Sequence, residues 1–182
     1  MQYFIKSIFA GIMIGIACLI SMNISINWVG AILFSIGLLI IVLRGYNLYT
    51  GKIGYVSSFK EIPTILICII GNLIGTFLIS HTSDLSSYNI MASKLSNPLY
   101  LTFIKSIGCG FLMYLAVDIY KKDKSILGVI TCVPAFILAG FEHSIADSLY
   151  IFSSGMMNIH ILIFLIIVLI GNAIGAFLHK LL

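Results

Sequence analysis

Charge is what this sequence most lacks. Only 9% of its 182 residues are Asp, Glu, Lys or Arg, and none of these occurs between Ser7 and Leu43. Soluble domains carry roughly a quarter charged residues, so a soluble globular fold is excluded. The few cations are scattered through the connections instead of forming a stripe or a basic helix, which excludes a nucleic-acid surface. Cys18, Cys68, Cys109 and Cys132 each fall inside an apolar run, with no C-x-x-C pair and no histidine at ligand spacing. A structural zinc site and a disulfide framework are thereby excluded, and the thiols read as small buried hydrophobes. The apolar segments do not alternate with period two, so they do not read as the strands of a barrel. Nothing in the sequence suggests a metal or an organic cofactor.

What is present is hydrocarbon: 60% of the residues are hydrophobic, and the mean hydropathy is +1.15. The chain reads as an all-α integral membrane protein embedded in a lipid bilayer. Apolar runs separated by polar breaks predict six spans, over 4–22, 27–48, 62–80, 99–120, 125–149 and 159–179. The first two form an uncharged stretch too long and too divided for a cleaved signal peptide. Lys6, Lys52, Lys60, Lys121, Lys122, Lys124 and Lys180 flank one side, and Lys94 with Lys105 the other. The positive-inside rule then places both termini in the cytoplasm, as expected of a multi-pass protein of the cell inner (cytoplasmic) membrane.

The polar connection from His81 to Ile90 divides the chain into halves at about 1–90 and 91–182, within a single transmembrane domain over 1–182. Each half ends in the same string: Gly71-Asn-Leu-Ile-Gly-Thr-Phe-Leu78 in span three, and Gly171-Asn-Ala-Ile-Gly-Ala-Phe-Leu178 in span six. Three crossings reverse the direction of the next copy, so the repeat is predicted to be inverted, 3+3.

Two polar interruptions occupy corresponding places, Asn47-Leu-Tyr-Thr-Gly51 in span two and Gly140-Phe-Glu-His-Ser144 in span five. Irregular backbone at membrane depth is tolerated only where protein buries it or water reaches it, and paired interruptions point to a transport site. If both spans break there, two half-helix N-termini bring partial positive charge to one place, which suits an anion. Glu142 is read as a splice that accepts bonds from backbone N–H groups of the opposing segment. His143 has two readings, a satisfied interior histidine or a pathway residue that gives a hydrogen bond or a proton to a weak-acid anion. Asp147, one turn on, either orients His143 or makes a span-end contact.

At these residues the sequence resembles the formate/nitrite transporter family. Gly140-Phe-Glu-His-Ser-Ile-Ala146 is similar to that family's G-F-E-H signature, and Leu48-Tyr49-Thr50 to its L-F-T element. Ala10-Gly11, the two G-N-x-I-G strings and Leu115-Ala116-Val117 extend the resemblance along nearly the whole chain. The resemblance implies an aquaporin-like fold with interrupted second and fifth helices. It also implies a homopentamer with one pore per protomer, passing small monovalent anions such as formate, nitrite, lactate or hydrosulfide. Carried over by position, His143 is the central pore histidine, Thr50 its partner and Lys94 a vestibule lysine that concentrates anions, where the plainer reading is a solvated loop charge. Phe34, Leu38 and Leu48 map to one constriction, and Tyr49, Met113 and Phe136 to the other or nearby. Three positions depart from the family pattern. Gly110 stands where an asparagine amide is often found, Tyr49 adds a hydroxyl to a constriction, and Asp147 replaces asparagine. Little sequence precedes span one, which leaves small room for an N-terminal gating helix.

The expected function is therefore a channel for small monovalent weak-acid anions, with His143 supplying a proton or hydrogen bond between two apolar collars. A neutral-solute channel for water or ammonia is the rival reading. A membrane enzyme using Glu142, His143 and Asp147 as acid–base groups is the other, although no nucleophile or second site accompanies them.

Overall fold

The computed structural model describes residues 1–181, and every regular element among them is helical. In chain order these are α1 (Gln2–Asn23), α2 (Asn27–Arg44), α3 (Tyr49–Lys52), α4 (Ile62–Ser80), α5 (Tyr88–Leu95), α6 (Leu99–Asp123), α7 (Leu127–Leu138), α8 (Ser144–Ser154) and α9 (Ile159–Lys180), with single 3₁₀ turns at Ile53–Tyr55 and Phe59–Glu61. Five helices are long and apolar enough to cross a membrane: α1, α2, α4 with its preceding turn, α6 and α9. α7 is equally apolar, but its 12 residues rise only about 18 Å. Large apolar side chains stand exposed along the outer faces, among them Leu66, Ile70 and Ile74 on α4 and Ile166, Ile170 and Ile174 on α9. Apolar exposure on this scale belongs against hydrocarbon, not water, and the chain is a multi-pass membrane protein.

The predicted runs over 62–80 and 159–179 fold as single helices, whereas those over 27–48 and 125–149 do not. α2 stops at Gly45, where φ is +63°, and α7 is followed by Gly140, where φ is +65°. In both places only glycine takes the left-handed turn without strain. Tyr46 N–H then reaches back to Ile41 O (2.9 Å), and Phe141 N–H to Phe136 O (3.0 Å), the same closing bond at the two helix ends. Beyond each turn the chain is extended at Leu48 and at His143, and these residues cap α3 and α8.

The packing of the long helices repeats in the same way. α1 lies along α4, and α6 along α9, each pair drawn together by small residues. A Cβ on Gly11 would run into the backbone of Asn72, and one on Gly110 into that of Asn172. Gly75 meets the backbone of Ile8, and Gly175 that of Ile107, in the same register. The expectation that Gly110 marks an amide lost from the path is therefore corrected: the residue is the counterpart of Gly11 and faces α9, where no side chain fits.

α5 lies in the connection read from sequence as polar and irregular. It is held down by Met91, which is wholly buried, and by a bond from Ser87 Oγ to Tyr150 O on α8 (2.5 Å). This placement carries Lys94 over the start of α8.

Candidate functional site

Two asparagines inside otherwise apolar helices organise the interruptions. Asn72 Nδ2 donates to Ser7 O (2.7 Å) and Asn47 O (2.8 Å), and its Oδ1 accepts from Tyr49 N–H (2.8 Å). Asn172 Nδ2 donates to Ser106 O and Glu142 O, and its Oδ1 accepts from Ser144 N–H, all at 2.9 Å. Each asparagine thus satisfies the carbonyl before and the amide after an extended residue, Leu48 in one segment and His143 in the other. Backbone groups released from a helix in a dry interior must find such partners. The sequence displayed both residues in its repeated G-N-x-I-G string. A buried amide in an apolar helix was the signal for their role, and it went unused.

The splice assigned to Glu142 is therefore corrected. Its backbone carbonyl is the group that Asn172 holds, while its carboxylate turns the other way, onto Lys94 Nζ. Of the two readings of Asp147, the one that orients His143 is set aside, because its Oδ1, in the first turn of α8, meets the same Lys94 Nζ at 2.9 Å instead of the histidine ring. Lys94 is consequently no solvated loop charge, with only 18% of its side chain exposed. Burial opposes its charge, but the carboxylates of Asp147 and Glu142 outweigh that loss of water and hold the ammonium above the ordinary lysine range.

The two interrupted segments meet through side chains. His143 Nε2 lies 3.0 Å from Thr50 Oγ1, and its Nδ1 accepts from Ala146 N–H at 3.0 Å, both groups buried. Because Nδ1 is an acceptor here, the proton of the neutral ring sits on Nε2 and is given to Thr50 Oγ1. The Thr50 hydroxyl hydrogen is then free to point elsewhere, so Thr50, polarised by the imidazole, is the hydrogen-bond donor available at this contact. The backbone of α8 offers less than expected, since Ser144 N–H is taken by Asn172 and Ala146 N–H by the imidazole. α3 has only 4 residues, too few for a developed dipole, so the expected pair of half-helix termini reduces to that of α8.

Apolar groups surround this contact. Phe136 stacks on the His143 ring (centroids 5.6 Å apart), and Phe34 meets Phe136 edge-on at 5.9 Å. On one side Phe34, Phe136, His143, Lys94 and Asp147 line a cavity of about 160 Å³. A second cavity, of about 90 Å³, is lined by Leu48, Gly51, Lys52, Val117 and Lys121. Leu38 and Met113 are wholly buried in the surrounding core. The Tyr49 ring is buried as well, and its hydroxyl donates to Leu169 O on α9 (2.8 Å). That hydroxyl is used in helix packing and adds no polarity to a constriction, which corrects the expectation drawn from sequence.

The two cavities differ in charge. Lys52 and Lys121 stand at the smaller one, where Lys121 Nζ sits 3.2 Å from the centroid of the Tyr55 ring, a cation–π contact. At the larger one the lysine is matched by two carboxylates.

Similarity to known proteins agrees with this architecture. The sequence pattern of the family described as Formate/nitrite transporter matches residues 1–182. The uncharacterized transporter YrhG of Bacillus subtilis is 28% identical over 144 residues, covering 65% of this chain and 54% of that protein. The nitrite transporter NirC of Escherichia coli is 23% identical over 137 residues, covering 63% of this chain and 51% of NirC. The chain thus spans about half the length of these relatives. The solved structure of a pentameric formate channel with formate bound superposes with a TM-score of 0.83 at 20% identity, over 98% of this chain and 93% of that one. An ion channel of the same family superposes with a TM-score of 0.80 at 22% identity, over 100% and 86%. The chain belongs to the formate/nitrite transporter family.

Proposed function

We propose that the chain forms a membrane channel for small monovalent weak-acid anions, of the formate, nitrite, hydrosulfide or lactate class. The observation that carries this reading is the Thr50–His143 contact, a polar pair at the meeting of two interrupted segments, with apolar side chains around it and a cavity at each segment. In this reading residues 1–182 are one domain of six crossings. α2 with α3 and α7 with α8 are the interrupted second and fifth spans of a 3+3 inverted repeat whose halves join near residue 90. Both termini lie in the cytoplasm, the membrane is the cytoplasmic one, and five copies assemble with one path in each.

The mechanism follows from electrostatics. A bare anion is costly in hydrocarbon. Lys52 and Lys121 at the smaller cavity raise its local concentration. Phe34, Leu38, Leu48, Met113 and Phe136 form apolar collars that strip its water. Between them the Thr50 hydroxyl, polarised by His143, gives one hydrogen bond in a region of low dielectric, where such a bond is strong. A weak acid lowers the remaining barrier by crossing with a proton.

Reconstituted in liposomes, the full chain should pass formate, nitrite, hydrosulfide or lactate faster than chloride, with a flux that depends on pH. Substituting His143→Asn should reduce that flux at least tenfold. Unaltered flux and pH dependence would remove the histidine from the mechanism. Water or ammonia permeation without any anion flux would favour the neutral-solute reading.

A further inference from the structure

Lys94, Glu142 and Asp147 form a buried triad that the path just described uses only in part. Lys94 Nζ contacts both Glu142 Oε2 and Asp147 Oδ1, the second at 2.9 Å. Glu142 and Asp147 are 2% and 1% exposed. One lysine balances one carboxylate, so the fully ionised triad carries a net negative charge in a site nearly closed to water. A buried unbalanced charge is expensive, and a bound proton removes it.

The geometry distinguishes the two carboxylates. Glu142 Oε2 contacts Lys94, and its segment is tied to Asn172. Asp147 commits Oδ1 to Lys94, while its Oδ2 is buried and has no hydrogen-bond partner among the described residues. Asp147 also lines the cavity of about 160 Å³ together with His143. The ionisable groups around it are Lys94 from α5, Glu142 from the connection before α8, Cys18 from α1, Cys109 from α6, and His143 and Tyr150 on either side of it in the chain. Lys94 is the only cation in that set.

We propose that Asp147 is the proton-carrying residue of this vestibule, transferring the proton on Oδ2 to a weak-acid anion that has entered the cavity. The proposal rests on the anion-channel reading above and deepens it. The Oδ2–H bond breaks as an H–O or H–S bond forms on the anion, and the neutral acid moves on past His143 and Thr50. The carboxylate left behind takes a proton from water at the mouth, so one anion and one proton cross together. The anion of a strong acid cannot accept that proton and would have to cross as a bare charge, so it is excluded. Asparagine at this position would leave Lys94 and Glu142 as a neutral pair with no proton to give.

The test uses the full chain in liposomes, with formate and chloride as probes, an internal pH dye and the membrane potential clamped by potassium and valinomycin. Wild type should move about one proton with each formate, accelerate as pH falls, and pass little chloride. In Asp147→Asn the proton coupling should disappear and formate flux should fall at least tenfold, because the site has no proton to give. Asp147→Glu should restore both properties. Proton-coupled formate flux that survives at the wild-type rate in Asp147→Asn overturns the proposal, as does uncoupled formate flux in wild type. Should wild type pass water or ammonia and neither anion, the channel reading itself fails, and the proposal with it. Infrared spectra supply a readout independent of flux and of variant folding. Wild type should show a protonated-carboxyl band at neutral pH that moves in Asp147→Glu, and absence of that band in wild type overturns the proposal.

Discussion

Asn172→Ala removes three hydrogen bonds of 2.9 Å and leaves Ser144 N–H, Ser106 O and Glu142 O to find other partners in a dry interior. A buried group left unpaired costs about 1–3 kcal/mol, and interhelical bonds in membranes average nearer 0.6 kcal/mol with a maximum near 1.7. Taking about 1 kcal/mol for each bond gives a loss of about 3 kcal/mol. For a chain of this size that lowers the unfolding midpoint by about 6–12 °C, at about 2–4 °C per kcal/mol. Asn172→Asp separates bonding from packing. It keeps the volume and the acceptor for Ser144 N–H, but it turns an oxygen toward the carbonyls of Ser106 and Glu142, which now accept from Nδ2. It should therefore be at least as destabilising as alanine. Asn72 holds the other segment by the same three bonds and shares no partner with Asn172. The two alanine variants should cost similar amounts, and their effects should add. Thermal unfolding in detergent, followed by intrinsic fluorescence and by loss of the monodisperse peak, measures each variant. If Asn172→Asp unfolds within about 1 °C of wild type, the claim that hydrogen bonds and not volume hold the segment is wrong.

Three further outcomes follow from the geometry. Thr50→Val deletes the acceptor of His143 Nε2–H at 3.0 Å. It should cost about 1–3 kcal/mol and reduce anion flux at least as strongly as His143→Asn, whereas Thr50→Ser should retain most of it, as read in the liposome assay. Gly110→Ala places a methyl group on the Asn172 backbone and should destabilise by about 1–3 kcal/mol through overpacking, with Gly11→Ala behaving alike at the Asn72 backbone; retention of the wild-type midpoint by either would contradict the close approach. Lys94→Met strands two buried carboxylates and should cost about 3–5 kcal/mol, a loss largely recovered in the triple variant with Glu142→Gln and Asp147→Asn. Because the folded state raises the lysine above its ordinary value, its contribution is complete below that value and is lost only as pH rises past it. The Lys94→Met deficit in unfolding midpoint should nevertheless grow from pH 6 to pH 9, because the stranded carboxylates are relieved by binding protons at the acid end.

The long spans were legible because continuous apolar runs leave no other fold in a bilayer, and the predicted 62–80 run matches α4 (Ile62–Ser80) at both ends. The helix ends at Gly45 and Gly140 were legible for the complementary reason, since both glycines stand beside polar residues where a helix would otherwise continue. α5 was not. Its 8 residues lack an apolar run, and it stands as a helix only because Met91 and Ser87 anchor it on neighbouring elements. The partners of Lys94 were hidden for the same reason: Glu142 is 48 residues away, and no local pattern shows that α5 folds over α8. The misassigned splice at Glu142 came from asking only what a carboxylate accepts. The backbone bonds belong to Asn72 and Asn172, whose amides both donate and accept, as a released N–H and C=O together require.

The repeated frame also explains why the polar chemistry is confined to so few atoms. Leu48 and His143 occupy the same slot, each extended, each following a glycine turn, and each flanked by groups bonded to an asparagine. One half fills the slot with an apolar side chain, the other with an imidazole. A histidine in the first slot as well would put a second pair of ring nitrogens into the interior, where each would need a partner. With leucine in the first slot, both ring nitrogens of His143 are satisfied, and the hydroxyl hydrogen of Thr50 is left free at this contact. The backbone around Leu48 and around His143 therefore does the same work, supporting an extended residue against an asparagine, while residues 142 to 147 supply the imidazole and the two carboxylates that hold Lys94. Side chains in that segment can change without disturbing the backbone bonds that present them.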